Sequence, residues 1–508
     1  MKRLATFAFA ALLFAPLAGR AADTYLPTTL SPTDVFKKNA AAAGDLAFGT
    51  YEGRSVSRGG GMEADFTSYY GGGDDITHVV RGPFVTAYGT YDGRGWDQDE
   101  NGIVILDTGF HGKENPNAVA VAHPEDSANR VTMLGLTSTK PSQYAIDVNP
   151  PGGDHHILYY DAATFLLSRD VTLDPDGQKE IETYDDYRHV FGETVSFHNT
   201  YSDGHPENDS DERQVSFVRV TTPVDFNIPA NRSLLSFSST APVSLPVRFV
   251  DGSIIVRATI NGRGLDFLLD SGASTLTINP DVAHELGLTA YGRSSETIGG
   301  RFFESPTVVP DMAIGDLHMH DVAMEEVDVG EEHLGIQVVG LLGFDFISSG
   351  LLAIDFKKQT LTLYPPGSTI PNVGPLMRVP IELDDGIPRI PAAFNRVSGK
   401  FIMDTGSFAT ILFPQYFQQI HGGSIDEGAG VYVEFVGGVV PTRAFAMDRA
   451  LFGPAQVEGL DVLVPETGKN GTGMTVTDYD GLLGRDLLRH YAIYLDYADH
   501  AVFLQPND

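Results

Sequence analysis

The chain of 508 residues contains no cysteine, and its basic residues are far outnumbered by its acidic ones. The lack of cysteine excludes disulfides, thiol catalysis, thiolate metal sites and an anchor on a lipid-modified cysteine. Lysine and arginine total 34 against 67 aspartates and glutamates, which gives a formal net charge of −33. Because nucleic-acid binding requires a basic face, this balance argues against nucleic acid and against anionic lipid as partners.

Long hydrophobic runs are missing as well. The apolar stretch Leu4 to Leu17 follows the basic pair Lys2-Arg3, and it is too short to span a bilayer, which requires about 20 residues. Gly19 and Ala21 supply the small side chains of a cleavage site. We therefore expect residues 1–21 to be a bacterial secretory signal peptide, with a periplasmic or secreted location and no membrane anchor.

Glycine and proline are plentiful, with 55 and 30 residues, and 42% of the chain is hydrophobic. This composition favours turn-rich β structure with a substantial core. Residues 22–225 alternate turn clusters, such as Asp174-Pro175-Asp176-Gly177, with strand candidates, such as Val79 to Tyr88 and Gln143 to Val148. We predict an antiparallel β domain over residues 22–225 and a linker, rich in Ser, Pro and Asn, over residues 226–244.

Two segments of this N-terminal region resemble LolA-like open β-barrels of the periplasm. They read Asp161-Ala162-Ala163-Thr164-Phe165-Leu166-Leu167 and Tyr184-Asp185-Asp186-Tyr187-Arg188. The resemblance implies a curved antiparallel sheet suited to an apolar or extended ligand. The pair His155-His156 does not indicate a metal site, because adjacent residues of a strand face opposite ways.

The remainder of the chain repeats one pattern twice. In each copy an apolar strand leads to an acidic turn, a Gly-Gly pair follows, and an apolar-apolar-Gly motif comes later. The two turns are Asp270-Ser271-Gly272-Ala273 and Asp404-Thr405-Gly406-Ser407. The glycine pairs are Gly299-Gly300 and Gly437-Gly438, and the later motifs are Gly340-Leu341-Leu342-Gly343-Phe344-Asp345 and Gly481-Leu482-Leu483-Gly484-Arg485-Asp486. The shared order indicates a duplicated unit.

This doubled unit resembles the retropepsin and pepsin clan of aspartic proteases, and each copy resembles one retropepsin subunit. The resemblance implies a mostly β fold, a bilobal acid-protease double β-barrel, with lobe 1 over residues 245–372 and lobe 2 over residues 373–508. It implies that Asp270 and Asp404 are catalytic and that the other residues of their turns support them. It also implies that the two glycine pairs form the tips of flaps that cover a bound peptide.

The chemistry implied by this resemblance requires two carboxyl groups and neither a metal nor another cofactor. One carboxylate takes a proton from water while the other, protonated, polarises the scissile carbonyl. Like charges about 3 Å apart cannot both ionise, so such a pair shares one proton, as is general for aspartic proteases. We therefore predict an exported aspartic-type endopeptidase that acts as a monomer on polypeptides, with Asp270 and Asp404 as its catalytic residues.

Two other hypotheses stay open at this stage. The protein could instead bind a peptide or lipid on a protease-like scaffold without turnover, or its N-terminal half could be the pro-segment of a self-processing enzyme. A third acidic turn, Asp107-Thr108-Gly109, also follows an apolar strand. The next apolar-apolar-Gly motif, Met133-Leu134-Gly135, comes too soon for a complete lobe, so we predict that Asp107 belongs to an ordinary turn.

Overall fold

The structure, a computed structural model, describes residues 24–106, 116–173, 179–329, 332–333, 335–371, 375–423, 425–466 and 479–507. Three sequence features discussed above lie outside the described residues, namely the signal peptide 1–21 and the turns at 107–109 and 174–177. The described chain is mostly β, as predicted. It divides into two units, which comprise Met1–Gln98, Gly109–Pro229 and Gly292–Ser294 for unit 1, and Asp99–Thr108, Ala230–Tyr291 and Ser295–Asp508 for unit 2.

Unit 1 is built on one large antiparallel sheet. Its strands, in their order across the sheet, are Tyr25–Leu26, Val131–Thr137, Gln143–Val148, His155–Asp161, Leu167–Leu173, Lys179–Asp185, His198–Ser202, Ser210–Val220, Thr50–Gly59, Met62–Gly71, Asp74–Arg81, Phe84–Tyr91 and Arg94–Gln98. A separate hairpin is formed by Arg188–Val190 and Glu193–Val195. The helical segments are Pro32–Ala43, Pro116–Ala122 and the short 3₁₀ turn Ser127–Asn129.

The helix Pro32–Ala43 begins with a capping box that its sequence encodes. The Ser31 hydroxyl accepts a hydrogen bond from the Asp34 N–H at 3.2 Å, and the Asp34 carboxylate accepts one from the Ser31 N–H at 3.0 Å. The helix then packs Val35 and Phe36 into a buried cluster with Ile146 of the sheet. Burial of these apolar side chains holds the helix against the strands.

One strand predicted from the sequence is wrong. The stretch Val79 to Tyr88 is not a single strand, because the chain reverses between Arg81 and Phe84 and the two flanking strands pair with each other. Gly82 sits in that turn with a φ of 59°, a conformation that glycine adopts without the steric cost of a Cβ.

Unit 2 contains two similar sheets of eight strands, one in each lobe. In lobe 1 the path runs Thr277–Ile278, Leu317–Val327, Arg301–Ile314, Ser253–Ile260, Arg263–Leu269 and Leu341–Leu342, with Val247–Val250 and Ser294–Thr297 paired at its sides. In lobe 2 it runs Glu382–Asp384, Ile387–Phe394, Val397–Met403, Gly481–Leu483, Ile411–Leu412, Ala455–Pro465, Gly438–Phe452 and Ala429–Phe435. The helical segments are Pro280–Glu285, Phe344–Ile347, Pro414–His421, Arg485–Leu488 and the 3₁₀ turn Ile425–Glu427, and a small hairpin joins Glu332–His333 to Ile336–Gln337.

A third sheet of unit 2, with six strands, joins the two lobes. Its order is Val243–Ser244, Thr360–Tyr364, Leu351–Asp355, Tyr491–Asp496, Ala501–Pro506 and Met377–Pro380. Leu352 of lobe 1 pairs with Leu495 of lobe 2 across the middle of this sheet, and both side chains belong to one core cluster that runs through the two lobes. The shared sheet and core therefore fix the position of one lobe against the other.

A short segment from early in the chain belongs to unit 2. It includes the strand Val104–Leu106, and Ile103 is buried in the protease-like core. Asn101 donates to the Ala323 carbonyl at 3.1 Å and accepts from the Ala323 N–H at 2.9 Å. The segment is thus a structural part of lobe 1, although more than a hundred residues separate it from the rest of the lobe.

Among the described residues, no helix is long and apolar enough to cross a membrane.

Candidate active site

Asp270 and Asp404 occupy matching positions, each directly after a buried strand. Arg263–Leu269 pairs in parallel with Leu341–Leu342, and Val397–Met403 pairs in parallel with Gly481–Leu483. The Asp270 N–H donates to the Leu342 carbonyl at 3.0 Å, and the Asp404 N–H donates to the Leu483 carbonyl at 3.1 Å. The apolar-apolar-Gly motif of each copy is therefore the strand that supports the acidic turn of the same copy.

The two acidic turns are hydrogen-bonded to each other across the lobes. The Ser271 N–H donates to the Thr405 hydroxyl at 2.9 Å, and the Thr405 N–H donates to the Ser271 hydroxyl at 3.0 Å. Each hydroxyl then donates to the strand before the other aspartate, Ser271 to Met403 O at 2.6 Å and Thr405 to Leu269 O at 3.0 Å. Both side chains are buried, so these four hydrogen bonds hold the turns in one relative position.

Each turn's glycine approaches the other lobe's carboxyl group. A Cβ on Gly406 would lie 2.4 Å from Asp270 Cγ, and a Cβ on Gly272 would lie 2.9 Å from Asp404 Cγ. Both positions must lack a side chain for the two carboxyl groups to meet. The Gly272 N–H also donates to Asp270 Oδ1 at 2.8 Å, and the Ser407 N–H donates to Asp404 Oδ1 at 2.8 Å. The structure thus brings Asp270 and Asp404 together in a single partly buried site.

The environment raises the pKa of both carboxyl groups above the usual range of aspartate. Burial is the main cause for Asp270, and the charge of Asp404 and a side-chain hydrogen bond with it raise its pKa further, to well above the usual range. Burial also raises the pKa of Asp404, but the Ser407 N–H and the hydrogen bond with Asp270 act in the opposite direction. The two carboxyl groups are therefore coupled, and the pair favours a state in which they share a single proton.

A buried arginine lies next to this pair on the lobe 2 side only. Arg485 Nη1 donates to the carbonyl of Gly406 at 2.7 Å and to that of Thr405 at 3.2 Å. Its positive charge lowers the pKa of both Asp270 and Asp404. The matching position of lobe 1 is Phe344, so the sequence repeat is not symmetric where it adjoins the carboxyl pair.

Two residues after the last glycine of each apolar-apolar-Gly motif, an aspartate accepts a hydrogen bond from a threonine that follows the acidic turn of the same lobe. Asp486 accepts hydrogen bonds from the Thr410 N–H at 2.9 Å and the Thr410 hydroxyl at 2.8 Å. In lobe 1 Asp345 accepts from the Thr275 hydroxyl at 3.2 Å and from Asn101 Nδ2 at 2.9 Å. Burial and the facing Asp99 carboxyl raise the pKa of Asp345 well above the usual range of aspartate.

The two glycine pairs lie at the tips of long hairpins whose tips touch each other. Gly299 and Gly300 lie between the strands Ser294–Thr297 and Arg301–Ile314, with φ angles of 70° and 158°. The Gly437 N–H donates to the Ile298 carbonyl at 3.1 Å, and a Cβ on Gly300 would lie 2.1 Å from Gly437 O. Gly438 begins the second strand of the other hairpin.

Sequence reasoning missed several residues that act on the site. The Ser407 hydroxyl donates to Ala409 O at 2.8 Å, whereas the Ser407 N–H donates to Asp404 Oδ1 at 2.8 Å. Ala273 has no polar side chain, and its N–H lies 3.4 Å from Asp270 O. Arg485 and Asp345 lie within the two apolar-apolar-Gly motifs of the repeat. The difference between Arg485 and its counterpart Phe344 was the sequence feature that indicated different surroundings for the two aspartates.

Comparison with known proteins agrees with this geometry. A family model described as aspartyl protease matches residues 256–346 and 390–487, and each match contains one of the two aspartates. The predicted resemblance of the doubled unit to aspartic proteases is therefore confirmed. No curated protein is detectably similar in sequence.

Three solved structures illustrate the likeness in fold. An aspartic proteinase from Irpex lacteus is 14% identical with a TM-score of 0.35, over 53% of this chain and 98% of that one. Basic 7S globulin from soybean is 12% identical with a TM-score of 0.34, over 53% and 96% of the chains. A LolA superfamily protein from Nitrosomonas europaea is 10% identical with a TM-score of 0.29, over 38% and 96% of the chains.

Proposed function

We propose that the protein is an aspartic endopeptidase that hydrolyses polypeptides with a water molecule activated between Asp270 and Asp404. The observation that carries this proposal is the pair of mutually hydrogen-bonded turns, Ser271 with Thr405, which brings two carboxyl groups together where one can hold a proton for the other. The aspartyl protease family match, which includes both turns, supports the same reaction class.

The asymmetry of the pair assigns a role to each carboxyl group. Asp404 accepts a proton from the water as its oxygen adds to the scissile carbonyl carbon, and Asp270 donates its proton to the carbonyl oxygen. The resulting tetrahedral diol returns one hydroxyl proton to Asp270, and Asp404 passes its proton to the leaving amide nitrogen as the C–N bond breaks. All protons are returned, and no covalent enzyme intermediate forms.

The substrate is a polypeptide in extended conformation, held between the flaps and the carboxyl pair. The flap strand Ala429–Phe435 lies at the edge of its sheet, and extended peptides bind such edges largely through backbone groups. Both catalytic carboxyls come from one chain, so a monomer is sufficient. If the first 21 residues direct export, the enzyme works in the periplasm or outside the cell.

The test is hydrolysis of a mixed peptide library by the purified protein between pH 4 and 7, with and without pepstatin. We expect cleavage by the unaltered protein that pepstatin blocks. Asp270→Asn and Asp404→Asn should each abolish cleavage while keeping the fold, because an amide can act neither as the acid nor as the base that the reaction requires. Asp316→Asn, a change at an exposed turn, is the matched control. Saturable peptide binding with no turnover by the unaltered protein would favour the non-catalytic alternative instead.

A further inference from the structure

Asn101 lies buried against lobe 1, with 2% of its surface exposed. Its Oδ1 accepts a hydrogen bond from the Ala323 N–H at 2.9 Å, and its Nδ2 donates to the Ala323 carbonyl at 3.1 Å. Because an amide oxygen only accepts and an amide nitrogen only donates, these two contacts fix the orientation of the side-chain amide. Nδ2 is therefore the atom that also donates to Asp345 Oδ2, at 2.9 Å.

This amide extends an edge of the lobe 1 sheet at the point where the neighbouring strand ends. The short strand Thr277–Ile278 runs beside Leu317–Val327 and pairs with its residues 325–326. Asn101 binds the backbone N–H and carbonyl of Ala323, two positions before that pairing. Residues two apart on a strand direct their backbone groups to the same side, and buried backbone groups require partners. The sheet edge therefore holds the amide in one place.

The two lobes differ in what holds the aspartate that follows each apolar-apolar-Gly motif. In lobe 2, Asp486 accepts hydrogen bonds from the N–H and the hydroxyl of Thr410, at 2.9 and 2.8 Å. Thr410 is the sixth residue after the aspartate of its acidic turn, and the residue at the same position of lobe 1 is Leu276, whose side chain is buried in the core. An apolar side chain cannot supply the hydroxyl donor, so lobe 1 holds Asp345 in another way.

The early segment of the chain supplies the missing partners of Asp345. Its Oδ2 accepts from Asn101 Nδ2 at 2.9 Å and from the Thr275 hydroxyl at 3.2 Å. The carboxyl group of Asp99 faces it and is hydrogen-bonded to it. Asp99 is fixed in turn, since its Oδ1 accepts from the Ile103 N–H at 2.7 Å and the Ile103 side chain is buried in the core. Two side chains of one short turn thus hold the carboxyl group of Asp345.

Asp345 is connected at two points to the acidic turn that begins at Asp270. The Thr275 hydroxyl donates to its carboxyl group, and the N–H of the preceding residue, Phe344, donates to the Ala273 carbonyl at 3.0 Å. Both partners lie within five residues of Asp270 along the chain. A displacement of Asp345 is therefore transmitted to the turn that carries the Asp270 carboxyl group.

We propose, on the basis of the proteolysis proposed above, that Asn101 is a positioning residue of the peptidase. By holding Asp345, it sets the place of the Asp270 carboxyl group against that of Asp404. Asn101 is buried and does not contact the substrate, so its loss should lower kcat and leave KM nearly unchanged. A displacement of a reacting group by about 1 Å can lower a rate by about a hundredfold.

The experiment measures kcat and KM of the full chain on a peptide cleaved in the library assay, per active site titrated with pepstatin. Asn101→Ala should lower kcat by about tenfold or more, with KM within about twofold. Asn279→Ala is the matched control, because Asn279 is a buried asparagine of lobe 1 whose side chain caps the helix Pro280–Glu285. The control should lower the Tm and leave kcat per active site unchanged.

A second variant keeps the shape of the side chain in case Asn101→Ala fails to fold. Asn101→Asp retains an acceptor for the Ala323 N–H and replaces the Nδ2 donor by an oxygen. This oxygen repels the neighbouring carboxyl groups of Asp99 and Asp345 when they are ionised. The variant should therefore lose kcat at pH 6.5 and regain part of it at pH 4.5, where a protonated carboxyl can donate again.

A double-mutant cycle tests whether Asn101 acts through Asp345. Thr275→Val removes the other hydrogen-bond donor to the Asp345 carboxyl group and should also lower kcat, whereas Thr275→Ser keeps the hydroxyl and should retain most of the rate. Because both residues act through one carboxyl group, Asn101→Ala combined with Thr275→Val should lose less than the product of the two single losses. Independent, multiplicative losses would contradict this route.

The outcomes separate the positioning role from the proposed proteolysis. If the unaltered protein cleaves peptides, an unchanged kcat per active site in the Asn101 variant, or an equal loss in Asn279→Ala, overturns the positioning role. If the unaltered protein cleaves none, the proteolysis fails and the carboxyl ¹³C signal of Asp270 decides instead. That signal should shift in the Asn101 variant and stay in place in Asn279→Ala, and a signal unchanged in both overturns the positioning role.

Discussion

Ser271 and Thr405 each donate a backbone N–H to the other's hydroxyl oxygen, at 2.9 and 3.0 Å, although 134 residues separate them in the chain. Each hydroxyl then donates its own proton to the strand that ends at the opposite aspartate. The positions of the two carboxyl groups are therefore set by the opposite lobe as much as by their own. This reciprocity explains how one chain can hold two carboxyl groups at a short distance.

Loss of one hydroxyl should loosen the site. Thr405→Ala leaves the Ser271 N–H and the Leu269 carbonyl without their partners in a buried place. We expect the free energy of unfolding to fall by about 1–3 kcal/mol for the unsatisfied groups, together with a large loss of kcat. Thr405→Ser keeps the hydroxyl and should retain most activity. Urea denaturation and peptide kinetics on both variants test this, and equal behaviour of the two would show that the hydroxyl has no positioning role.

Arg485 should set the pH range of activity. Its charge lowers the pKa of both Asp270 and Asp404, so Arg485→Met should raise both pKa values and move the pH profile of kcat/KM to higher pH. Arg485→Lys keeps a positive charge and should shift the profile less. Arg489→Met, a change at an exposed neighbour, is the control. A profile of Arg485→Met that coincides with the unaltered one would contradict the electrostatic role.

Asp345 should make the stability of unit 2 depend on pH. Burial raises the pKa of both Asp345 and the facing Asp99, and each carboxyl is hydrogen-bonded to the other. A carboxyl whose pKa is higher in the folded state takes up a proton on folding. Its contribution is therefore fully present below the unfolded pKa of about 3.9 and is lost as the pH rises through the folded pKa.

The corresponding variant is Asp345→Asn, which cannot ionise. We expect the Tm of the variant minus the Tm of the unaltered protein to be larger at pH 7.5 than at pH 4.5. At pH 7.5 only the unaltered protein must either ionise this buried carboxyl group or hold its proton at a cost in free energy. Asp316→Asn at an exposed turn provides the control. Thermal unfolding at both pH values measures the difference, and a Tm difference that does not change with pH would count against the carboxyl pair.

The sequence predicted the fold of unit 2 well because the same order of local signals occurs in both copies of the repeat. In each copy an apolar strand leads directly into an acidic turn and an apolar-apolar-Gly motif follows later, and the duplication indicated that two such turns meet. The Gly272 and Gly406 positions also followed from the motif, since a carboxyl group must approach the opposite backbone closely.

Contacts between distant parts of the chain could not be predicted in the same way. Asn101 lies in a region assigned to the N-terminal domain, yet it hydrogen-bonds Ala323 and Asp345 in lobe 1. No periodicity or motif indicates such a partner. Likewise, the role of Arg485 depends on which carbonyl groups its side chain can reach. Those contacts follow from the packing of the apolar-apolar-Gly motif of lobe 2 against the acidic turn.

¹³C NMR of labelled aspartates measures whether the two carboxyl groups titrate as one pair. In the unaltered protein the Asp270 carboxyl should remain protonated well above the ordinary aspartate pKa of about 3.9. In Asp404→Asn the like charge is gone, so the Asp270 pKa should fall by about one unit or more. An Asp270 pKa that is the same in both proteins would show that the two groups do not share a proton.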